Sequence, residues 1–469
     1  MIRKKGVRIK LHHKNIISEI ILLSGISIFT AFFSFFLMVR FKTLNNVIEA
    51  FKTDFKSVII PLVILLILTT IIVVVLKSNL KKLFYNLKNI QKLSQMIINN
   101  NFYIIENIKG VDGKSRKKYT YFPKTYYWFK KGLIYVNIEL DGSKFHSKYL
   151  ELGSKLEQMY NSEIIDKVVK NSEVTYILQV FNEGSRLILD SIKEQNIGTK
   201  IPLMKGLGWD IVKIPHCLVT GATGGGKSFF LFYLVRSFFN LTNEVGDPLE
   251  CIVKVLDPKM SDLSFLDSIM PDDVFFSKDK ILKELRLAVE EMDRRYILMR
   301  QEENQKVGSN FLEHNLSPYI IFFDEFIAFA ISLEKSKKEE LKDRLFQIIL
   351  KGRQAGVFLV LTGQRADAEF IPGAIRDNLG LRVSLGNLSK DGYKMTFGDV
   401  EKEFLERTEK GQGYIYLMGE SKYPVEFYSP LLAKDYNLVE DVKGLLSRRK
   451  GTFLAERKGE ESLGEALEK

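Results

Sequence analysis

The pattern of apolar and polar positions divides the 469-residue chain into unlike stretches. Residues 20–39 and 57–76 are two uncharged, strongly apolar runs of 20 residues each. Either predicts a helix long enough to cross the hydrocarbon core of a bilayer. Residues 80–101 are basic and amphipathic, which predicts a helix leaving the membrane. Tyr, Phe, Ile and Val recur between turn residues over 119–141, predicting two or three strands. Residues 148–170 carry a helical period, and 175–181 read as a strand. From 201 to 430 the pattern changes to short continuous apolar runs in alternation with helical segments. That alternation predicts an α/β domain with a mostly parallel sheet, its strands buried on both faces. Strands are expected at 218–220, 251–256, 319–323, 357–361, 381–385 and 414–417, and helices at 227–240, 278–304, 335–351 and 399–407. The charged stretch from about 435 is expected to be a partly disordered tail. The resulting organisation is 1–19 basic N-terminus, 20–76 two-helix anchor, 77–199 membrane-proximal helix with a small α+β domain, 200–434 α/β domain, and 435–469 tail.

Between the first apolar strand of the α/β domain and its first helix stands GATGGGKS: Gly221, Ala222, Thr223, Gly224, Gly225, Gly226, Lys227 and Ser228. The spacing is that of a phosphate-binding loop. Its glycines let the backbone turn several N–H groups onto one phosphate chain, and the following helix adds its N-terminal partial positive charge. Lys227 is then placed to reach the β- and γ-phosphates of ATP, and the Ser228 hydroxyl to hold Mg²⁺. Asp324 and Glu325 end the apolar run YIIFF, where an acidic residue comes to lie beside such a loop. Asp324 is the expected Mg²⁺ partner through water, and Glu325 the expected base for the attacking water. The alternative is an acid capping the next helix. Gln364, at the end of a further strand, is placed to sense the γ-phosphate, or else to bond the backbone as a strand-end amide. Arg353, in KGRQAG, is a candidate arginine finger toward a neighbouring subunit's nucleotide, with a structural salt bridge as the alternative. Arg365 and Arg382 are weaker candidates.

Charge changes the picture less than its size suggests. The net +12 resides in residues 1–100, which hold 15 Lys and Arg against Glu19, Glu49 and Asp54, and the rest of the chain is balanced at 54 of each sign. Such basicity beside apolar spans is what the positive-inside rule requires, so it says little about nucleic acid. Six basic residues precede the first span, five follow the second by Lys92, and four lie in the 17 residues between. That bias predicts a plasma-membrane hairpin with both termini in the cytoplasm. A signal peptide is disfavoured because the apolar run is long and no small-residue cleavage site follows it. KSRKK at 114–118 is expected to be a basic, solvated loop. Cys217 and Cys251 fall in apolar strands and are expected to be buried reduced thiols. The five histidines show no metal-ligand spacing.

Five further segments carry a family resemblance: LDPKMSDLSFL (256–266), EEMDRRY (290–296), IIFFDEF (320–326), GRQAGVFLVLTGQR (352–365) and IRDNLGLRVSL (375–385). In this order they resemble FtsK/SpoIIIE-type DNA translocases over about residues 200–430. The resemblance implies a RecA-like P-loop ATPase that works as a homohexameric ring on DNA, closing its active sites between subunits. It implies catalytic roles for Lys227, Asp324, Glu325, Gln364 and Arg353. Two departures stand out. Ala366 replaces the family's usual proline after the Gln-Arg pair, and about 35 residues after Pro430 leave little room for a winged-helix module. The two-span layout resembles the coupling proteins of Gram-positive conjugative elements, which implies a relaxase and mating-channel proteins as partners. A double-stranded DNA pump in segregation, or a motor for a secreted protein, is the alternative.

Overall fold

The computed structural model describes residues 6–447 apart from 41–54, 110–114, 131, 180–185, 190–197, 244–245, 302–305 and 434. The chain forms two compact units, Met1–Val180 and Phe181–Lys469.

The first unit begins with strand β1 (Val7–Arg8) and a 3₁₀ turn (Leu11–Asn15), then helices α1 (Ile16–Arg40), α2 (Phe55–Asn79) and α3 (Lys81–Asn99). Strands β2 (Ile104–Lys109), β3 (Ser115–Tyr121), β4 (Thr125–Lys130) and β5 (Leu133–Glu139) follow, then short helices α4 (His146–Leu150) and α5 (Gly153–Tyr160), then β6 (Glu163–Lys170) and β7 (Glu173–Gln179). An antiparallel sheet runs β1-β4-β5-β7-β6, and β2 and β3 form a separate hairpin. Helix α3 lays Ile90, Leu93, Met96 and Ile97 inward at helical spacing. Its Asn89 amide donates to the Tyr127 hydroxyl of β4 at 3.0 Å.

Among the described residues, one helical stretch, Leu11–Phe36, is long and apolar enough to cross a membrane. The second expected span is helix α2, whose described apolar part, Ile59–Val75, is shorter. Both helices turn large apolar side chains outward, including Leu22, Leu23, Phe35, Leu66 and Val74. The loop between the spans lies outside the described residues apart from Arg40.

Two expectations for this unit change. The helical period over 148–170 ends at Tyr160, where Asn161 adopts a left-handed backbone (φ 50°), and 163–170 is strand β6 paired with β7. The basic residues of KSRKK from Ser115 onward lie in β3 and not in a loop, while Lys114 falls outside the described residues. Within the basic N-terminus, Val7 and Arg8 pair with Tyr127 and Tyr126 of β4 and Ile9 is buried.

The second unit opens with a hairpin, β8 (Lys200–Met204) and β9 (Leu207–Asp210). Then come β10 (Cys217–Gly221), α6 (Lys227–Phe238), β11 (Ile252–Leu256), β12 (Val274–Phe275), α7 (Lys278–Met299), β13 (Tyr319–Phe323), α8 (Phe326–Ile331) and α9 (Lys335–Ala355). Strand β14 (Val357–Gly363), α10 (Gly373–Arg376), β15 (Leu381–Leu385), α11 (Lys390–Phe397), β16 (Gln412–Leu417) and β17 (Val425–Tyr428) complete the α/β body. Its eight-stranded sheet runs β12-β11-β13-β14-β10-β15-β16-β17. The pairings from β12 to β15 are parallel, and β16 and β17 add antiparallel edges. Every residue of β10, β13, β14 and β15 is buried, as unbroken apolar runs require. Arg295 of α7, from the EEMDRRY segment, is buried and donates to the carbonyls of Ser317 and Ala355 at 2.8 and 2.9 Å. It thereby ties the C-terminal end of α9 to the approach to β13.

The helix expected at 399–407 is absent: the chain there is irregular, with bends at Asp399 and Glu401, and the helix lies earlier, as α11. Side chains from elsewhere hold the segment open. The Tyr414 hydroxyl accepts the Leu405 N–H at 2.7 Å, the Asn387 carbonyl oxygen accepts the Arg407 N–H at 2.6 Å, and Phe404 stacks on Tyr393. The start of the expected disordered tail is also folded. Residues 438–447 form helix α12, with Leu438, Val442 and Leu445 buried. Asp441 of α12 pairs with the buried Arg236 of α6 at 2.7 Å. Residues 448–469 lie outside the described residues.

Candidate nucleotide site

Strand β10 sits between β14 and β15, so its exit is flanked by theirs. The packing there is close enough to demand glycine. A Cβ on Gly221 would stand 2.4 Å from the Leu385 carbonyl oxygen, and one on Gly225 2.6 Å from the same atom. Gly224 and Gly226 take positive φ values, 79° and 104°, that open the loop before α6 begins at Lys227. The result is a cradle of backbone N–H groups over a helix N-terminus, the geometry that holds phosphate. Lys227 donates to the Gly221 carbonyl at 2.6 Å and lies 3.8 Å from Glu325. Burial pulls its ammonium below the ordinary lysine range, and Glu325 opposes that shift.

The acid pair follows β13, with β14 standing between it and the loop strand. Asp324 accepts hydrogen bonds from Ser261 Oγ at 2.9 Å, from the Glu325 N–H at 3.0 Å and from the Thr362 hydroxyl. Thr362, at the end of β14, in turn accepts the Glu325 N–H at 3.2 Å. Glu325 has a left-handed backbone (φ 47°), a strained state for a residue with a side chain and one found at functional positions. Its carboxylate makes no cap bond to α8, so the helix-capping alternative is not what the structure holds. It faces two cations instead, Lys227 and, at 3.4 Å, Lys259.

Several members of this constellation are invisible to spacing arguments. Asp257, wholly buried at the end of β11, accepts the Ser261 hydroxyl at 2.9 Å, and burial pushes its carboxyl up, reinforced by the charge of Asp324. Ser261 thus bridges the two aspartates. Thr362 adjoins the Gly363-Gln364 pair, and only that adjacency signals it. Arg186 donates to the carbonyls of Ser429 and Lys410 at 2.8 and 3.2 Å, closing the far wall of the cleft. That wall is sewn to the phosphate loop, since the Gly411 N–H donates to the Gly225 carbonyl at 3.0 Å. Between the walls lies a cavity of about 820 Å³, lined among others by Thr223, Lys227, Ser228, Glu325, Gly411 and Arg186. The volume suits a nucleoside triphosphate. Among the described residues no group of three or more His, Cys, Asp or Glu side chains could hold a metal alone. A magnesium ion held mainly by phosphate oxygens and water, with one or two protein oxygens, needs none.

The other candidates fall in different places. Gln364 directly follows β14 and is exposed at the same sheet edge as the loop. Arg365 is beside it, exposed, 3.8 Å from Asp367. Arg382 is buried within the sheet, its guanidinium over the Tyr416 ring and its Nη1 donating to the Phe397 carbonyl at 3.2 Å. Arg353 ends α9, where the parallel strands begin and not where they end, so β14 separates it from the loop by roughly 20 Å. Its Nε donates to the Val212 carbonyl at 3.4 Å. Cys217 and Cys251 are buried free thiols.

A parallel sheet with a glycine cradle, a lysine and a paired acid at the strand exits defines a P-loop ATPase. Comparison with known proteins agrees. A sequence model of the FtsK/SpoIIIE family matches residues 190–313. The FtsK domain-containing protein YdcQ of Bacillus subtilis (strain 168) is 35% identical over 457 residues, 94% of this chain and 91% of the relative. The chain belongs to the FtsK/SpoIIIE family. The DNA translocase FtsK of Borreliella burgdorferi is 29% identical over 276 residues, and the match covers 55% of this chain but only 33% of that protein. Among solved structures, the conjugation coupling protein TcpA of pCW3, in a monomer form with ATPgS, is similar at 19% identity with a TM-score of 0.47, covering 78% of this chain and 99% of that one.

Proposed function

We propose that the chain is a membrane-anchored, ATP-driven DNA translocase that serves as the coupling protein of a conjugative element and delivers relaxase-bound DNA to a transfer channel. The observation that carries the ATPase part is that Lys227 and Glu325 line the cavity beside the glycine cradle, with Asp324 bonded to the Glu325 N–H. Family membership supports DNA as the moved polymer, with ATP and Mg²⁺ as cofactors and a homohexamer as the working form. The fused α1–α2 pair supports a plasma-membrane anchor with cytoplasmic termini, because β1 before it and β4 after it belong to one sheet.

In this reading the N–H groups from Gly221 to Ser228 bind the phosphate chain, and Lys227 leaves the Gly221 carbonyl to neutralise it. Ser228 and Asp324 would hold the magnesium ion, which supplies charge stabilisation to the leaving phosphate. Glu325, freed from Lys227, orients water and takes its proton. Thr362 and Ser261 fix the acids in place. Gln364 reports the loss of the γ-phosphate through β14. Arg353 acts toward a neighbouring subunit's nucleotide. Full-length protein in neutral detergent should hydrolyse ATP faster when DNA is added, and single- and double-stranded DNA tested apart identify the cargo. Turnover indifferent to both would remove DNA from the proposal while leaving the ATPase intact.

A further inference from the structure

At the foot of α1 the first unit holds a pocket of about 580 Å³ that the ATPase does not use. Its lining includes Ile17 from the first turn of α1, with Lys81, Tyr85, Lys88, Lys92 and Gln95 from α3. The corner is built, not a chance fold of surface. The Gln91 side chain accepts the Ile17 N–H at 3.1 Å, satisfying one donor that a helix start leaves unpaired. Gln95 donates to the Lys14 carbonyl at 3.0 Å and Ser94 to the Lys10 carbonyl at 3.0 Å, which clamps α3 against the entry to α1. Lys92 is held inward by a 2.7 Å bond to the Met159 carbonyl.

The charge is one-sided. Helix α3 carries no Asp or Glu. Among the described residues neither Lys81 nor Lys88 pairs with an acid. Burial, with the charge of Lys88, pulls the Lys92 ammonium below its ordinary range. Beside these lysines Leu80, Leu83 and Tyr85 are exposed at 44%, 52% and 38%. Apolar side chains exposed among cations, at the root of an apolar helix, fit the boundary between acyl chains and headgroups.

We infer that this pocket binds the headgroup of an anionic phospholipid, with Lys81, Lys88 and Lys92 around the phosphate and Ile17, Phe84 and Tyr85 against the acyl chains. The occupant is lipid and not a free anion because the pocket opens at the apolar helix α1 and its lysines alternate with Ile17, Phe84 and the exposed Tyr85. The inference rests on the membrane anchoring proposed above.

The test uses the full chain in neutral detergent, titrated with phosphatidylglycerol or phosphatidylcholine and read by native mass spectrometry. Phosphatidylglycerol should bind at the lower concentration. Replacing Lys81→Gln and Lys88→Gln together should weaken it roughly thirtyfold, about fivefold for each lysine. Lys81→Arg with Lys88→Arg should retain binding, and Lys124→Gln, exposed elsewhere on the unit, should change nothing. ATP turnover and melting temperature of the glutamine variant should match the parent, which excludes misfolding. Equal affinity for the two lipids, an unaffected glutamine variant, or displacement by millimolar inorganic phosphate or by duplex DNA would overturn the inference. Release of the chain from membranes by alkaline carbonate would instead overturn the anchoring itself.

Discussion

At the scale of single residues the site is a pair of acids held by uncharged hydroxyls, with Glu325 also facing Lys227 and Lys259. Thr362 links Asp324 and Glu325 through its single hydroxyl. Thr362→Val keeps the shape and removes both bonds. Turnover should fall roughly tenfold, the equivalent of one lost hydrogen bond to a charged group, with little change in nucleotide affinity. Thr362→Ser should restore it. An equal loss of kcat and affinity would make Thr362 part of the binding surface instead. Lys227→Ala removes the cation that meets the phosphates and should lower turnover by roughly a hundredfold or more. Membrane insertion should be unchanged, which fractionation of cells would show. The motif residues were legible because phosphate binding demands glycines, a lysine and a hydroxyl at fixed spacing. Asp257, Ser261, Thr362 and Arg186 were not, because ordinary polar residues acquire their roles only when distant strand ends meet.

At the scale of elements, the parallel sheet was readable because strands buried on both faces are continuous apolar runs. The misread elements failed for a different reason. Residues 399–407 are held open by Tyr414, Asn387 and Tyr393, contacts that no local pattern announces. Residues 163–170 mix apolar and charged positions in a way compatible with either period, and the partner strand β7 decides. One element-level feature is testable by acid. His216, wholly buried at the entry to β10, accepts the Leu359 N–H of β14 at 3.1 Å through Nδ1. Burial pushes its imidazole down from 6.5 to about 3. Between those values only the unfolded chain takes up the proton. The stability this neutral histidine permits is therefore complete above pH 6.5 and declines as pH falls, by about 1.4 kcal/mol per pH unit. Denaturant titrations from pH 7 to 4 should show His216→Gln with a shallower decline than the parent. Parallel declines would mean that other groups govern acid unfolding. The folded tail offers a second element-level test. Asp441→Ala leaves the buried Arg236 without its carboxylate and should cost about 2 kcal/mol, seen as a lower melting temperature.

At the scale of the whole molecule the anchoring proposed above turns on which side of the membrane each end of the α1–α2 pair would lie. Counts of Lys and Arg favour cytoplasmic termini by a small margin, six and five against four. The pairing of β1 with β4 makes the stronger case. A strand before α1 and a strand after α2 cannot share one sheet unless the chain enters and leaves the bilayer on one face. On the proposed anchoring, the phosphate loop's need for cytosolic ATP would make that face the cytoplasmic one. The native cysteines, both buried, provide a quiet background for labelling. A membrane-impermeant maleimide added to intact cells should therefore modify Asn46→Cys, between the two apolar stretches, and leave Lys14→Cys untouched until the cells are opened. Modification of Lys14→Cys from outside would place the N-terminus across the membrane. Strand β1 could then no longer reach β4, and an odd number of crossings would have to replace the hairpin.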